Sequence, residues 1–220
     1  IRGTTGADNA IIKIYGESIT FLECQTNKLT SLTVSNNPDL VSLYCGNNSL
    51  SELNIQSNLK LEVLSAYSNS LSSIDVSKNT KLKNLMLTNN KLTSLNVKNN
   101  IYLCDLSCDL NLLDACAWND LYRSLPDRSM EAVKGKLYAG YPASNTELKS
   151  SNTKLVTPGW SVLESYPDGK AVTGDATGCY NALFTTSKDI NQPISLNLTL
   201  SPAGLVDVNW GDGNWVKYEV

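Results

Sequence analysis

The candidate groups for acid–base chemistry on one surface of this chain are three carboxylates, Glu23, Asp105 and Asp109. The sequence contains no histidine, so the commonest general base and metal ligand is missing. Glycoside hydrolysis needs only two carboxyl groups, but they must flank one bond. On the strands of one sheet, Glu23 would lie roughly 19 Å from Asp105, and Asp105 about 13 Å from Asp109. We therefore predict that the chain is not an enzyme and has no metal site and no cofactor.

Apolar residues near these carboxylates favour binding by contact. Phe21, Tyr44, Tyr67 and Met86 occupy outward positions of the predicted strands. At about 4.8 Å per strand they would form a stripe spanning roughly 14 Å. Because interfaces are enriched in aromatic residues, and because apolar patches mark binding sites, we predict that this stripe and the three carboxylates form the binding surface. The alternative is that the rings pack across strands and only support the sheet.

A regular repeat marked by asparagines must position these residues. The asparagines form two series with a spacing of 21 residues, which are Asn27, Asn48, Asn69, Asn90 and Asn111, and Asn37, Asn58, Asn79 and Asn100. Around them runs the frame L-x-x-L-x-φ-x-x-N, where φ is Cys, Val, Ile, Ala or Leu, and it restarts after alternating steps of 10 and 11 residues. Self-similarity at this period predicts a solenoid, in which each turn buries its apolar face against its neighbours.

The first asparagine series has a structural explanation. Leu43 and Cys45 are two residues apart, so in a strand they point inward while Tyr44 points outward. An asparagine at the following corner carries an acceptor and two donors for backbone groups that the turn frees. Without partners in the interior it would cost roughly 1–3 kcal/mol. We therefore predict that the series from Asn27 to Asn111 is a structural ladder and not a ligand site.

The other half of each turn is too short for a helix. It has about 10 residues, whereas mean helices alone run about 11–12 residues. Its residues alternate in polarity, as in Leu32–Val34 and Ile74–Val76, and its outward positions are all polar. We predict a convex side that is extended or made of short 3₁₀ pieces, with a solvated surface.

These half-units resemble those of a known family. The segment from Leu40 to Leu50 matches the leucine-rich repeat consensus L-x-x-L-x-L-x-x-N-x-L. The segment from Leu71 to Lys81 is similar to the "LTSLDVSxNT" half-unit of surface leucine-rich repeat proteins from Bacteroidetes. The resemblance covers residues 19–113 and implies a leucine-rich repeat solenoid in an exported bacterial protein. Fold alone does not name the ligand.

The pattern changes after the repeats. Asp114 is a candidate helix N-cap, apolar residues then follow at helical spacing, and Pro126 ends the helix. Residues from Lys136 to Gly140 and from Trp160 to Glu164 predict two more strands of the same sheet, and residues from Asn145 to Thr157 predict a second short helix. Terminal repeats are atypical because they cover an open core, so we expect Trp118 and Trp160 to pack there.

The end of the chain predicts an antiparallel β appendage. Runs from Leu205 to Trp210 and from Trp215 to Val220 flank Asp212-Gly213, a strong hairpin signal. The sequence VDVNWGDG within the hairpin is similar to part of PKD-type, immunoglobulin-like domains. The amino-terminal stretch resembles the end of such a module, so we hypothesise that this chain is one period of a tandem array.

The predicted domains are an N-terminal β cap (1–18), leucine-rich repeats (19–112), a C-terminal cap (113–166), a linker (167–180) and a partial PKD-like segment (181–220).

Composition narrows the classes of partner. The net charge is −3 and the pI is about 5.0, which gives no footprint for nucleic acid or a membrane surface. No apolar run approaches the length of about 18 residues that a spanning helix needs.

The cysteines follow no zinc spacing. We expect Cys24 and Cys45 to be buried free thiols, and one bridge among Cys104, Cys108 and Cys116 is conceivable.

The sequence as a whole favours an adhesin-like, protein-binding module at the bacterial cell surface or outside the cell. The first alternative is a carbohydrate-binding surface, on which Tyr44 and Tyr67 would stack on sugar rings. The second is a structural spacer between β modules. We expect a monomer or head-to-tail contacts through the terminal β segments.

Overall fold

A computed structural model of the protein describes residues 18–140, residues 156–163 and the backbone of two further strands, Leu205–Asn209 and Trp215–Glu219. The chain divides into two compact units, Ile1–Cys179 and Tyr180–Val220. The predicted N-terminal cap, apart from its last residue, and the predicted linker lie outside the described residues.

The first unit contains a parallel sheet of seven short strands. The strands are β1 (Phe21–Glu23), β2 (Ser42–Tyr44), β3 (Val63–Ser65), β4 (Asn84–Met86), β5 (Asp105–Ser107), β6 (Gly135–Tyr138) and β7 (Trp160–Leu163). Their order in the sheet is their order in the chain, and every neighbouring pair is parallel. The predicted parallel solenoid is therefore confirmed.

Leucines set the register of this sheet. The central residue of each repeat strand pairs with the residue 21 positions later, as Leu22 with Leu43 and Leu43 with Leu64. These side chains are almost fully buried, and each contributes about 1.5–3 kcal/mol of apolar burial. Because a slip of one residue would turn the leucines outward, the burial of one face fixes the register.

The first asparagine series occupies the corner after each strand. Asn48 is typical: its Oδ1 accepts hydrogen bonds from the backbone N–H groups of Asn27 and Leu29, both at 3.0 Å. Its Nδ2 donates to the carbonyls of Cys24 and Cys45, both at 2.9 Å. Asn69, Asn90 and Asn111 likewise accept from the N–H of the residue 19 positions earlier and donate to the carbonyl of the residue 24 positions earlier. Each side chain thus joins its own turn to the preceding one.

The second half of each turn is extended and ends in two tight turns. The N–H of Asn37 donates to Val34, and the N–H of Leu40 donates to Asn37, at 3.0 and 3.1 Å. The same pair of bonds recurs in the next three turns. Within residues 18–112 there is no helix, which confirms the predicted extended convex side.

A left-handed backbone position recurs at the sheet corner. Five residues spaced 21 apart have φ between +50° and +59°, and they are Thr26, Asn47, Ser68, Asn89 and Leu110. Only asparagine among these types adopts this conformation readily. The turn geometry therefore imposes local strain at the other three positions.

A helical cap follows the last repeat, as predicted. Helix α1 (Ala115–Ser124) begins after Asp114, whose side chain accepts a hydrogen bond from the Ala117 N–H at 2.7 Å. Trp118 and Tyr122 of this helix are fully buried. Most of the predicted second helix lies outside the described residues, and its last two positions, 156 and 157, are not helical.

Strands β6 and β7 extend the sheet under the cap. The Trp160 ring lies over Gly135, where an added Cβ would stand 2.2 Å from it, and its indole N–H donates to the carbonyl of Pro126 at 2.7 Å. The buried Arg128 donates to the carbonyls of Val133 and Leu103 at 2.9 and 3.3 Å. Arg128 therefore ties the cap loop to the last repeat.

The second unit contains the predicted hairpin strands. Strand β8 (Leu205–Asn209) pairs in antiparallel register with β9 (Trp215–Glu219), with Asp207 opposite Lys217. In the part of the chain that the structure describes, no helix is long and apolar enough to cross a membrane.

Candidate binding face

The strand face presents three columns of side chains, defined by position around the buried central leucine. The first column consists of the residues before that leucine, which are Phe21, Ser42, Val63, Asn84, Asp105 and Lys136. The second column consists of the residues after it, which are Glu23, Tyr44, Ser65, Met86, Ser107 and Tyr138. The third column lies two residues further on, and it consists of Gln25, Gly46, Tyr67, Thr88 and Asp109.

The predicted apolar residues do not form one stripe. Phe21 lies in the first column, Tyr44 and Met86 lie in the second, and Tyr67 lies in the third. Ser65 separates Tyr44 from Met86. The prediction of a contiguous stripe is wrong because it counted strand steps but not the two-residue offset that moves a side chain to the next column.

Two of these residues do meet at the amino-terminal end of the sheet. The rings of Phe21 and Tyr44 have centroids 5.4 Å apart and planes inclined at 40°. Phe21 keeps 51% of its surface exposed. The pair is thus a preformed aromatic patch with one ring open to solvent.

Tyr67 is held by the preceding turns. Its hydroxyl accepts a hydrogen bond from Asn47 Nδ2 at 3.0 Å and donates to Gln25 Oε1 at 2.9 Å, two turns away. Its ring lies over Gly46, where an added Cβ would stand only 2.4 Å from the ring. The absent side chain of Gly46 therefore makes room for Tyr67, and Tyr67 connects three turns.

The carboxylates lie at different places on the face. Glu23 and Asp105 are in different columns and four strands apart, so the structure does not bring them together. Burial raises the pKa of Asp105 against the opposing effect of Lys136, and Asp105 Oδ1 is buried without a hydrogen-bond partner. Burial also raises the pKa of Asp109, whose side chain accepts a hydrogen bond from Thr88. The carboxyl-terminal end of the face therefore carries half-buried acidic groups.

The cysteines divide into two classes. Cys24, Cys45, Cys104 and Cys108 are free thiols, as expected for the first two. Burial raises the pKa of Cys24 to about 11 and also raises the pKa of Cys45 and Cys108, which makes these thiols poor nucleophiles. Cys116 is disulfide-bonded, and neither Cys104 nor Cys108 is its partner. The local bridge that their sequence proximity suggested does not form.

No metal centre can be assembled from the described side chains. Among residues 18–140 and 156–163, no three His, Cys, Asp or Glu side chains come together in a group that could hold a metal ion.

Two shallow grooves on the polar half of the solenoid were not predicted from the sequence. They have volumes of about 520 and 340 Å³, and they share the lining residues Ser73, Ile74 and Asp75. The half-buried Ile74 gives them an apolar element between polar walls. The uniform polarity of the outward positions predicts only a solvated surface. It does not predict the grooves, because their depth depends on how adjacent turns stack.

Comparisons with known proteins find no matching family model and no matching curated protein. Among solved structures, the chain is similar to the leucine-rich repeat protein LIC12759 of Leptospira interrogans, with 28% identity over 48% of this chain and a TM-score of 0.47. It is also similar to the functional domain of InlJ from Listeria monocytogenes, which includes a cysteine ladder, with 23% identity over 72% of this chain and a TM-score of 0.40. The chain covers only 29% and 37% of those two proteins. Its own strand pairing and 21-residue register make the repeat region a parallel solenoid with the leucine-rich repeat fold.

Proposed function

We propose that this chain is a non-enzymatic protein-binding module whose contact surface is the strand face. The proposal rests on the contacting ring pair of Phe21 and Tyr44, in which Phe21 is 51% exposed. An exposed aromatic ring that is already fixed in place loses little conformational entropy on binding. Such preorganised aromatic anchors dominate the energetics of many interfaces.

The acidic end of the face supplies a second kind of contact. Asp105 and Asp109 are half-buried, and each has a raised pKa because burial disfavours its charge. A partner that offers N–H or cationic groups to these carboxylates would relieve that cost. The face therefore favours a partner with an apolar group at one end and hydrogen-bond donors at the other.

We also propose that the protein is located outside the cytoplasm, at or beyond the bacterial cell surface. Cys116 is disulfide-bonded, and disulfides persist in oxidising compartments. This supports export of the chain. The adhesin-like role follows from the resemblance of its half-units to bacterial surface repeats.

The experiment is a binding screen against purified extracellular-matrix and serum proteins by biolayer interferometry. The test variant is Phe21→Ser/Tyr44→Ser, and the matched control is Thr33→Ala/Lys98→Ala on the exposed polar half. We expect a saturable hit that the strand-face variant loses and the control retains. A hit lost only in the control would move the binding site to the grooves and overturn the proposal.

Carbohydrate binding is the second candidate. The Tyr67 ring is held against Gly46, and a fixed aromatic ring can stack on a sugar ring. A glycan array tests it. A saturable sugar hit that Tyr67→Ala abolishes would replace protein binding as the function, whereas an array without hits would retire this candidate.

If Tyr44→Ser, Tyr67→Ser and Met86→Ser together change neither stability nor any binding, the chain is a structural spacer.

A further inference from the structure

The second asparagine series has unpartnered oxygen atoms in the protein interior. Asn58, Asn79 and Asn100 are fully buried, with no exposed surface. The Nδ2 of Asn79 donates to the carbonyls of Ile55 and Asn58 in the preceding turn, both at 2.9 Å, and the other two asparagines make the equivalent bonds. The Oδ1 atoms of all three have no hydrogen-bond partner in the protein.

The orientation of these amides is fixed by their donors. Turning the Asn79 amide over would place its oxygen against the carbonyl oxygens of Ile55 and Asn58 and would lose both hydrogen bonds. The first series behaves differently, because Asn69 Oδ1 accepts from the Leu50 N–H at 2.9 Å. The unpartnered oxygen is therefore a property of these three asparagines and not of every asparagine in the solenoid.

Donors without acceptors lie in the same half of each turn. The backbone N–H groups of residues 51–55 and 72–76 donate to no acceptor among the described residues, although both neighbouring turns are described. The sheet half differs, because neighbouring strands bond directly there. The extended half of these turns therefore contains both backbone N–H groups without an acceptor in the protein and Oδ1 atoms without a donor.

We propose that Asn58, Asn79 and Asn100 bind a row of internal water molecules, one in each turn. A water molecule donates one hydrogen to Oδ1 and accepts from a backbone N–H of the extended half, which satisfies both groups. A cation does not suit these positions, because each offers a single amide oxygen and the backbone groups without partners in the same half of the turn are donors. An apolar ligand would leave the oxygen unpartnered.

The row divides the solenoid into a directly bonded half and a hydrated half. The strand face is joined turn to turn by backbone pairing and by the first asparagine series. The opposite half is joined by the Nδ2 donors of the second series and by water.

Oxygen-17 magnetic relaxation dispersion of the solvent, which counts long-lived internal water molecules, tests the proposal on the full chain. We expect at least three such molecules in the wild-type protein. Asn79→Leu removes one acceptor and should lower the count by one or more. Asn36→Leu changes an exposed asparagine beside the second series, and it should leave the count unchanged.

Equal counts in the wild-type protein and the Asn79→Leu variant would overturn the proposal. If that variant does not fold, as judged by its circular dichroism spectrum, a high-resolution crystal structure of the wild-type protein decides. Solvent density within hydrogen-bond distance of Oδ1 in Asn58, Asn79 and Asn100 supports it. Direct backbone N–H bonds to these oxygens would overturn it.

Discussion

Replacing Asn69 with alanine measures what one rung of the first asparagine series contributes. Asn69 Oδ1 accepts from the Leu50 N–H at 2.9 Å, and its Nδ2 donates to the Cys45 carbonyl at 3.0 Å. Leu50 and Cys45 are fully buried, so both backbone groups would lose their partners away from water. At about 1–3 kcal/mol for each buried group, the expected loss is about 2–6 kcal/mol of unfolding free energy.

The assay is urea denaturation followed by circular dichroism, with midpoint and slope fitted separately. The matched control is Asn36→Ala, because Asn36 is an exposed asparagine of the same solenoid. A change at that surface position should stay within about 0.5 kcal/mol. If Asn69→Ala costs no more than the control, the asparagine series does not stabilise the solenoid, and the explanation of the repeat fails.

Three further predictions concern single positions on or near the strand face. Gly46→Ala places a Cβ against the Tyr67 ring and should cost about 1–3 kcal/mol, and a double-mutant cycle should show a smaller cost in the Tyr67→Ala background. Leu110→Asn relieves a positive φ of 52° and should raise the unfolding free energy by about 1 kcal/mol in urea, whereas Leu112→Asn, two residues on and also exposed, should not. Burial raises the folded-state pKa of Asp105 above its unfolded value, so the wild-type protein loses stability as pH rises through that folded pKa. Asp105→Asn should therefore have a higher melting temperature than the wild-type protein at pH 7. The difference in melting temperature should shrink below the unfolded-state pKa of about 3.9. A difference that stays constant across pH would contradict this reasoning.

The solenoid was predictable because its stabilising contacts repeat along the chain. Leu43, Cys45 and Asn48 recur at one spacing, and neighbouring copies pair with each other. The cap helix was predictable for a local reason, since Asp114 caps the helix and Pro126 ends it. In both cases the deciding interactions act either within a few residues or at one constant separation.

The arrangement of the binding face depended on contacts that no periodic pattern encodes. Tyr67 bonds Gln25 at a separation of 42 residues, and it does so only because Gly46 has no side chain. A signal was present in the sequence: Gly46 stands directly before Tyr67 in the third column, so a position without a side chain adjoins the ring. The groove at Ile74 carried no such signal, because its depth depends on the spacing of adjacent turns.

Hydrogen–deuterium exchange of the chain alone and with the first binder found in the screen tests the central claim most directly. If the strand face is the binding surface, backbone protection should appear at residues 21–25 and 42–46 and at 105–109. Residues 31–35, 52–56 and 73–77 of the grooved half should remain unchanged. Protection confined to the grooved half would contradict the assignment of the strand face as the site of binding.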